Sequence, residues 1–139
     1  MKKFLRVLAL DYGTKRIGVA VSRGSLAEPL EVVANDASID SSVATVPSAL
    51  ERIAEICQEE KIEQLLVGLS ENGMAERTKK FVDELRIRFD LPVSMFDETL
   101  SSQDAEDRLL LSGAKKKKRQ GPIDHYSAAI ILESWLESR

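Results

Sequence analysis

Apolar residues in the first third of the chain occur in short runs that predict strands. Residues 4–10 and 16–22 are rich in Leu, Val, Ile and Ala and flank a short turn that contains glycine. A weaker strand is predicted around residues 31–34, after Pro29. Consecutive strands joined by short turns indicate an antiparallel meander.

The pattern changes after a polar segment over residues 35–45. Apolar residues then recur at helical spacing in some stretches and form continuous runs in others. Pro47 suits the first turn of a helix, and Gly113 suits the C-terminal cap of another. The predicted elements are a helix over 47–61, a strand over 64–69, a helix over 75–89, a strand over 92–96, a helix over 101–111 and a last helix from Ile123.

This alternation of strands and helices predicts the fold class. Strands joined through helices run parallel and are connected by right-handed crossovers, whereas the meander contributes antiparallel strands to the same sheet. We therefore expect a mixed α/β sheet of about five strands with helices on both faces. Neither an internal repeat nor a composition shift divides the chain, so a single domain over residues 1–139 is predicted.

Composition narrows the class of protein. The chain is 43% hydrophobic, which is ordinary for a globular protein with a core, and no apolar run reaches the roughly 18 residues of a membrane span. We expect a cytoplasmic protein that does not bind membranes. The single cysteine, Cys57, has apolar neighbours at helical spacing, which favours a core position over a role as nucleophile.

Positive charge is concentrated in one segment, which consists of Lys115, Lys116, Lys117, Lys118 and Arg119. Removing these five charges from the net charge of −3 leaves −8 for the rest of the chain. Such separation indicates either a solvated loop or a local contact for phosphate groups, and charge alone leaves both open.

The first turn is unusual because it opens with Asp11, directly after an apolar strand. A carboxylate at the edge of an apolar sheet is costly to desolvate unless a cation or hydrogen-bond donors compensate it. We expect Gly13 to adopt a positive φ in the turn. Gly18 and Ala20 are expected to keep one face of the second strand thin enough for close packing.

Two further acidic sites occupy matching places in the predicted fold. Asp97 and Glu98 follow the last strand, so one of them reaches the edge of the sheet where Asp11 lies. Asp124 lies in the first turn of the last helix. Positions 124, 128, 131 and 135 share a helical face that is expected to pack on the sheet. The three acidic sites are therefore predicted to converge.

Converging carboxylates repel one another unless a cation is present, and ligation by oxygen alone suits Mg²⁺ or Mn²⁺. Two such ions about 3.5–4 Å apart can support phosphodiester hydrolysis, which predicts a metal-dependent nuclease. Each acid also has a purely structural interpretation: Asp11 as a turn cap, Asp97 or Glu98 as the start of a loop, and Asp124 as an acid at a helix N-terminus.

Four segments together resemble the YqgF (RuvX-like) family. They are Leu10–Ala20, Val67–Leu69, Asp97–Ser101 and Ile123–Leu132, in the family's order along nearly the whole chain. The resemblance implies a ribonuclease H-like fold. The family is described both as Holliday junction resolvases and as nucleases that mature the 5′ end of pre-16S ribosomal RNA.

Matching the family's motifs assigns the catalytic and metal-binding positions to Asp11, Glu98 and Asp124, and so selects Glu98 over Asp97. It also implies that residues 115–119 form a basic loop that binds nucleic acid.

This chain departs from the family at two positions. Thr99 stands where the family usually has Arg, and Ser70 stands where it usually has Pro. Because Arg is planar and permanently charged, its loss would weaken the grip on substrate. Lys15, Arg16 or residues 115–119 would then have to compensate, and Thr99 leaves open a nucleic-acid-binding module without catalysis.

The predicted partners are structured RNA or branched DNA. Symmetric cuts in a DNA junction need a homodimer, whereas RNA ends can be processed by a monomer. An ATPase of the actin-like class also carries Asp-x-Gly-Thr, but such proteins need two domains around the nucleotide, and this chain is about one domain long.

Overall fold

The structure is a computed structural model that describes residues 5–24, 26–37, 43–69, 75–97 and 124–137. Within these ranges the chain forms five strands and three helices. The strands are β1 (Val7–Asp11), β2 (Arg16–Arg23), β3 (Leu26–Ala34), β4 (Gln64–Leu69) and β5 (Val93–Asp97), and the helices are α1 (Pro47–Glu59), α2 (Ala75–Arg88) and α3 (Asp124–Glu137).

All five strands belong to one sheet in the order β3-β2-β1-β4-β5. β2 is antiparallel to both β1 and β3, as the meander requires. β4 is parallel to β1 and to β5, as expected for strands joined through helices. The predicted mixed sheet is therefore confirmed, with β1 at its centre.

Apolar side chains cover both faces of this sheet. Alternation along β1 sends Leu8 and Leu10 to one face and Val7 and Ala9 to the other. The first face packs against buried residues of α1 and α2, including Ile53, Ile56, Phe81 and Leu85. The second packs against α3 through Ala128, Ala129, Ile131 and Leu132. Helices on both faces were predicted, and the structure confirms them.

Two sequence-based expectations are wrong in detail. β3 begins at Leu26, well before the predicted residues 31–34. Pro29 was expected to precede the strand but lies within it, opposite Ala20. β3 is an edge strand, where the missing N–H of proline need not cost a ladder hydrogen bond.

Gly13 is not among the described glycines with positive φ. A Cβ there would lie 2.5 Å from the carbonyl oxygen of Arg16, so close approach is the reason for glycine.

Other expectations have varied outcomes. Cys57 is buried in the core, as predicted, and burial raises the pKa of its thiol to about 11. The predicted helix over 101–111 lies outside the described residues, and the single domain over 1–139 stays a prediction. In the part of the chain that the structure describes, none of the helices has the length and apolar character needed to cross a membrane.

Candidate active site at the carboxyl edge of the sheet

The parallel strands β1, β4 and β5 end at the same edge of the sheet. Asp11 is the last residue of β1, and Asp97 is the last residue of β5. β4 lies between them, with Val67 opposite Leu10 and Leu69 opposite Asp97. Because one strand lies between them, the ends of β1 and β5 are two interstrand spacings apart, which is about 10 Å.

Asp11 is partly buried at this edge. Alternation along β1 puts position 11 on the same face as Val7 and Ala9, which is the face that α3 covers. Its register partner on β2 is Gly18, which has no side chain to compete for that space. The sequence therefore folds so that a carboxylate ends the central strand on the α3 side of the sheet.

In the described residues α3 begins at Asp124, so Asp124 lies in the first turn of this helix, as predicted; the predicted start at Ile123 lies outside the described residues. The predicted sheet-facing stripe of this helix is confirmed at its described positions, since Ala128 and Ile131 are buried and Trp135 packs against the same cluster. Ala9 and Ala20 lie beneath the helix, so small side chains let it approach the sheet closely. Position 124 is one helical turn before Ala128 on this stripe.

The remaining predicted site residues have different outcomes. Lys15 lies in the β1–β2 turn and Arg16 begins β2, and both are exposed. Glu98 and the basic segment 115–119 lie outside the described residues, so the convergence of the three acids stays a prediction. Among the described side chains, no three of the His, Cys, Asp or Glu type form a group that could hold a metal.

A buried polar network next to Asp11 was not predicted from the sequence. The side chain of Asn35 is fully buried, and its Nδ2 donates to the carbonyl oxygens of Gly13 at 2.9 Å and Ala44 at 3.0 Å. Its Oδ1 accepts from the backbone N–H of Val46 at 3.0 Å. One amide therefore ties the β1–β2 turn to the segment that leads into α1.

Tyr12 joins the same network from the other face of β1. Its hydroxyl donates to the carbonyl oxygen of Ala44 at 2.5 Å, and its ring stacks on Phe81 with centroids 4.7 Å apart. Burial raises the pKa of the Tyr12 phenol above its usual value, although the nearby Arg77 opposes this shift. The residue after Asp11 is therefore held as a neutral hydrogen-bond donor.

α2 completes the network with one charge of each sign. Glu84 accepts a hydrogen bond from the backbone N–H of Ala44 at 2.8 Å, and Arg77 donates to the carbonyl oxygen of Ala37 at 3.2 Å. We call the side chains of Tyr12, Asn35, Arg77 and Glu84, with the backbone groups that they bind, the Asn35 network. Asn-Asp after a strand is a typical turn signal, but it does not reveal these distant partners.

Comparison with known proteins identifies the family. The model of the family described as "RuvX: Holliday junction resolvase" matches residues 5–138. The chain belongs to this family. The resemblance found in the sequence motifs is thereby confirmed, and so is the prediction of a nuclease, at the level of the family.

Similar proteins from several bacteria share one name, "Putative pre-16S rRNA nuclease". The protein from Desulforamulus reducens is 34% identical over 96% of this chain and 98% of its own length. The protein from Geobacillus kaustophilus is 37% identical over 97% and 99%, respectively. The protein from Dechloromonas aromatica is 38% identical over 95% of this chain and 90% of its own length.

Solved structures support the fold. RuvC of T. thermophilus, in complex with a Holliday junction substrate, aligns with a TM-score of 0.58 and 18% identity, over 98% of this chain and 96% of that one. A second structure, described as "Thermus thermophilus RuvC structure", aligns with a TM-score of 0.53 and 19% identity, over 97% of this chain and 96% of that one. The predicted ribonuclease H-like α/β class is confirmed.

Proposed function

We propose that this protein is a divalent-metal-dependent nuclease that trims the 5′ end of pre-16S ribosomal RNA in the cytoplasm. Asp11, Glu98 and Asp124 would be its catalytic and metal-binding residues. The observation that carries this proposal is the position of Asp11, a partly buried carboxylate at the carboxyl end of the central strand, on the face that α3 covers. Ligands in α/β sheets bind at such strand ends.

The substrate is inferred from relatives. Proteins at least 34% identical over nearly the whole chain carry a name that specifies pre-16S rRNA. The description of the family specifies Holliday junctions instead, which makes cleavage of branched DNA the second candidate. RNA is favoured because the name that specifies it belongs to individual similar proteins, whereas Holliday junctions are named only in the description of the whole family.

The pattern of the sheet is compatible with a shared metal site. Phe96, near the end of β5, packs against the cluster on the α3 side, and Glu98 follows two residues later in the sequence. Asp124 begins the helix that covers this face. Together with Asp11 on this face, Glu98 and Asp124 would provide the hard oxygen ligands that Mg²⁺ and Mn²⁺ prefer. When bound, such ions would activate a water molecule and stabilise the leaving oxygen.

The protein's own residues have distinct tasks in this proposal. Asp11 is held by strand pairing on one side and by the anchored Tyr12 on the other, so its backbone is positioned before substrate arrives. The exposed Lys15 and Arg16 would contact backbone phosphates beside it, and Lys115 to Arg119 would bind other phosphates of the substrate. These cations would replace the charge that Thr99 does not supply.

Replacing Asp11 with Asn tests the proposal. The amide keeps the shape of the side chain but removes its negative charge, so we expect Mn²⁺-dependent cleavage of a pre-16S rRNA 5′ fragment to fall by about a hundred-fold or more. Asp83→Asn is the matched control, because Asp83 is exposed on α2 and its substitution should leave the rate unchanged. Cleavage is measured on the RNA fragment and on a four-way DNA junction.

Each outcome has a defined meaning. Undiminished cleavage by the Asp11→Asn variant would reject the metal site. A wild-type protein that cuts only the junction, in two symmetric places, would replace the RNA substrate with branched DNA and require a dimer. A wild-type protein that binds both nucleic acids but cuts neither would favour a binding module.

A further inference from the structure

We propose that Asn35 is a positioning residue for the active site, which holds the turn after Asp11 so that the carboxylate keeps its orientation. This inference rests on the proposed nuclease function and deepens it. Asn35 does not lie on β1 and acts on Asp11 only through the backbone of the turn. Its role is therefore distinct from that of the predicted metal ligands.

The first argument is that every polar group of the Asn35 side chain is used. Two N–H bonds of the amide go to the carbonyl oxygens of Gly13 and Ala44, and the amide oxygen accepts from Val46. With no exposed surface, the side chain has no water to replace a lost partner. A buried and fully satisfied amide of this kind rigidifies the segments that it joins.

The backbone around Asn35 holds the same turn. The N–H groups of Asn35 and Asp36 donate to the carbonyl oxygen of Lys15 at 2.8 Å and 3.2 Å. The N–H of Ala37 donates to the carbonyl oxygen of Thr14 at 2.6 Å. Together with the hydrogen bond from the Asn35 side chain to Gly13, these contacts engage the carbonyl groups of three consecutive residues of the turn. The turn is therefore docked along its length against the three residues that follow β3.

The second argument is that Asp11 lies between two fixed points. On one side, Asp11 pairs with Gly18 in the sheet. On the other side, the Tyr12 hydroxyl shares the carbonyl oxygen of Ala44 with the Asn35 amide. Loss of the amide would release both the turn and one support of this shared acceptor. Since displacements near 1 Å can cost about a hundred-fold in rate, such a release is expected to matter.

The test is Asn35→Asp, which keeps the shape and the acceptor for Val46 but places oxygen opposite two carbonyl oxygens. We expect kcat for Mn²⁺-dependent RNA cleavage to fall by roughly 10- to 100-fold, with KM for RNA changed less than about two-fold. We also expect weaker Mn²⁺ binding by calorimetry and faster hydrogen exchange at the amides of residues 12–16.

Ser22→Ala is the matched control, because Ser22 makes similar buried hydrogen bonds at the other end of β1. Its Oγ accepts from Val7 at 2.8 Å and donates to the carbonyl oxygen of Leu5 at 3.1 Å. We expect this variant to lower the melting temperature while kcat, Mn²⁺ binding and exchange in the turn stay at wild-type values. Equal losses of kcat in both variants would mean that Asn35 is merely structural, which overturns the inference.

Tyr12→Phe covers the case in which Asn35→Asp does not fold. It keeps the stacking on Phe81 and removes one donor to Ala44, so a smaller fall in kcat in the same direction is expected. Wild-type kcat in this variant would contradict the inference. If the wild-type protein cleaves nothing, the nuclease proposal fails by itself. Mn²⁺ binding and hydrogen exchange then decide the role of Asn35, and unchanged values in its variants reject it.

Discussion

At the scale of single residues, Gly13 shows how tightly the turn beside Asp11 is packed. A Cβ atom at this position would lie 2.5 Å from the carbonyl oxygen of Arg16, far inside a normal contact. The obstacle is backbone, which cannot rotate away as a side chain can. Any other residue would therefore open the turn that the Asn35 network holds.

Cys57 gives a prediction about pH at the same scale. Its thiol has a pKa near 9.0 when exposed and about 11 in the folded protein, because burial disfavours the thiolate. Between these values the unfolded chain loses the proton first, so the free energy of unfolding falls as pH rises. Two pKa units correspond to about 3 kcal/mol when the titration is complete.

Urea unfolding of the wild type and of Cys57→Ala at pH 8, 9, 10 and 11 measures this contribution. The variant loses the cysteine's share of the slope while keeping that of Tyr12, whose pKa is also raised by burial. Comparing slopes also removes the constant cost of the smaller core side chain. Parallel curves for the two proteins would contradict the predicted thiol contribution.

Local chemistry made some residues predictable and left others hidden. Asp11 could be recognised because its charge contrasts with the apolar strand before it, and Cys57 because it shares its helical spacing with apolar residues. Asn35 could not, because its importance depends on Gly13, Ala44 and Val46, which the fold brings to it. Glu98 depended on the family resemblance, since spacing alone left Asp97 equally acceptable.

At the scale of elements, the contact between α3 and the sheet is set by small residues. Ala128 is fully buried, and Ala9 and Ala20 are among the strand residues beneath the helix. Ala128→Leu would add volume at this contact and is expected to cost about 1–3 kcal/mol of stability. Because α3 begins with Asp124, the displaced helix should also lower cleavage more than the loss of stability explains.

Ala54→Leu is the matched control for that prediction, since Ala54 is half-buried on α1, on the opposite face of the sheet. Thermal unfolding and cleavage are measured for both variants at a temperature where both are folded. Unchanged cleavage by a folded Ala128→Leu variant would indicate that α3 does not position a catalytic group.

Most elements were predictable because their periods are strong. The continuous apolar run of β4 and the helical faces of α1 and α2 leave little choice of structure. β3 was predicted too short because its exposed edge carries Glu28, Pro29 and Glu31, which hide the strand pattern. The order of strands followed from connection rules rather than from any single residue.

At the scale of the whole molecule, the separation of charge predicts how nucleic acid binding depends on salt. If all five cations of residues 115–119 contact duplex phosphates, they contribute about −4.5 to the slope of log affinity against log salt. Replacing all five with alanine should flatten the slope by that amount and weaken binding most at low salt. Fluorescence anisotropy with a labelled RNA duplex measures both effects.

Lys61→Ala is the control for the general effect of lost charge. Lys61 is exposed after α1, near the start of β4 and away from the edge that holds Asp11. Its loss should change the slope by less than a single phosphate contact would. An affinity that does not change with salt, or that stays at the wild-type value when residues 115–119 are replaced with alanine, would show that the basic segment does not bind the nucleic acid.

The position of β1 at the centre of the sheet also affects how the chain is made. β2 follows β1 directly in the sequence. The other neighbour of β1 is β4, which pairs Leu65 with Leu8 and is synthesised much later. While the ribosome is still translating α1, β4 does not yet exist, so one edge of the apolar strand β1 has unpaired backbone N–H and C=O groups. Such an edge can pair with another nascent chain. Crowded polysomes are therefore where this protein is most exposed to misassembly, and slow translation before residue 64 would lengthen that exposure.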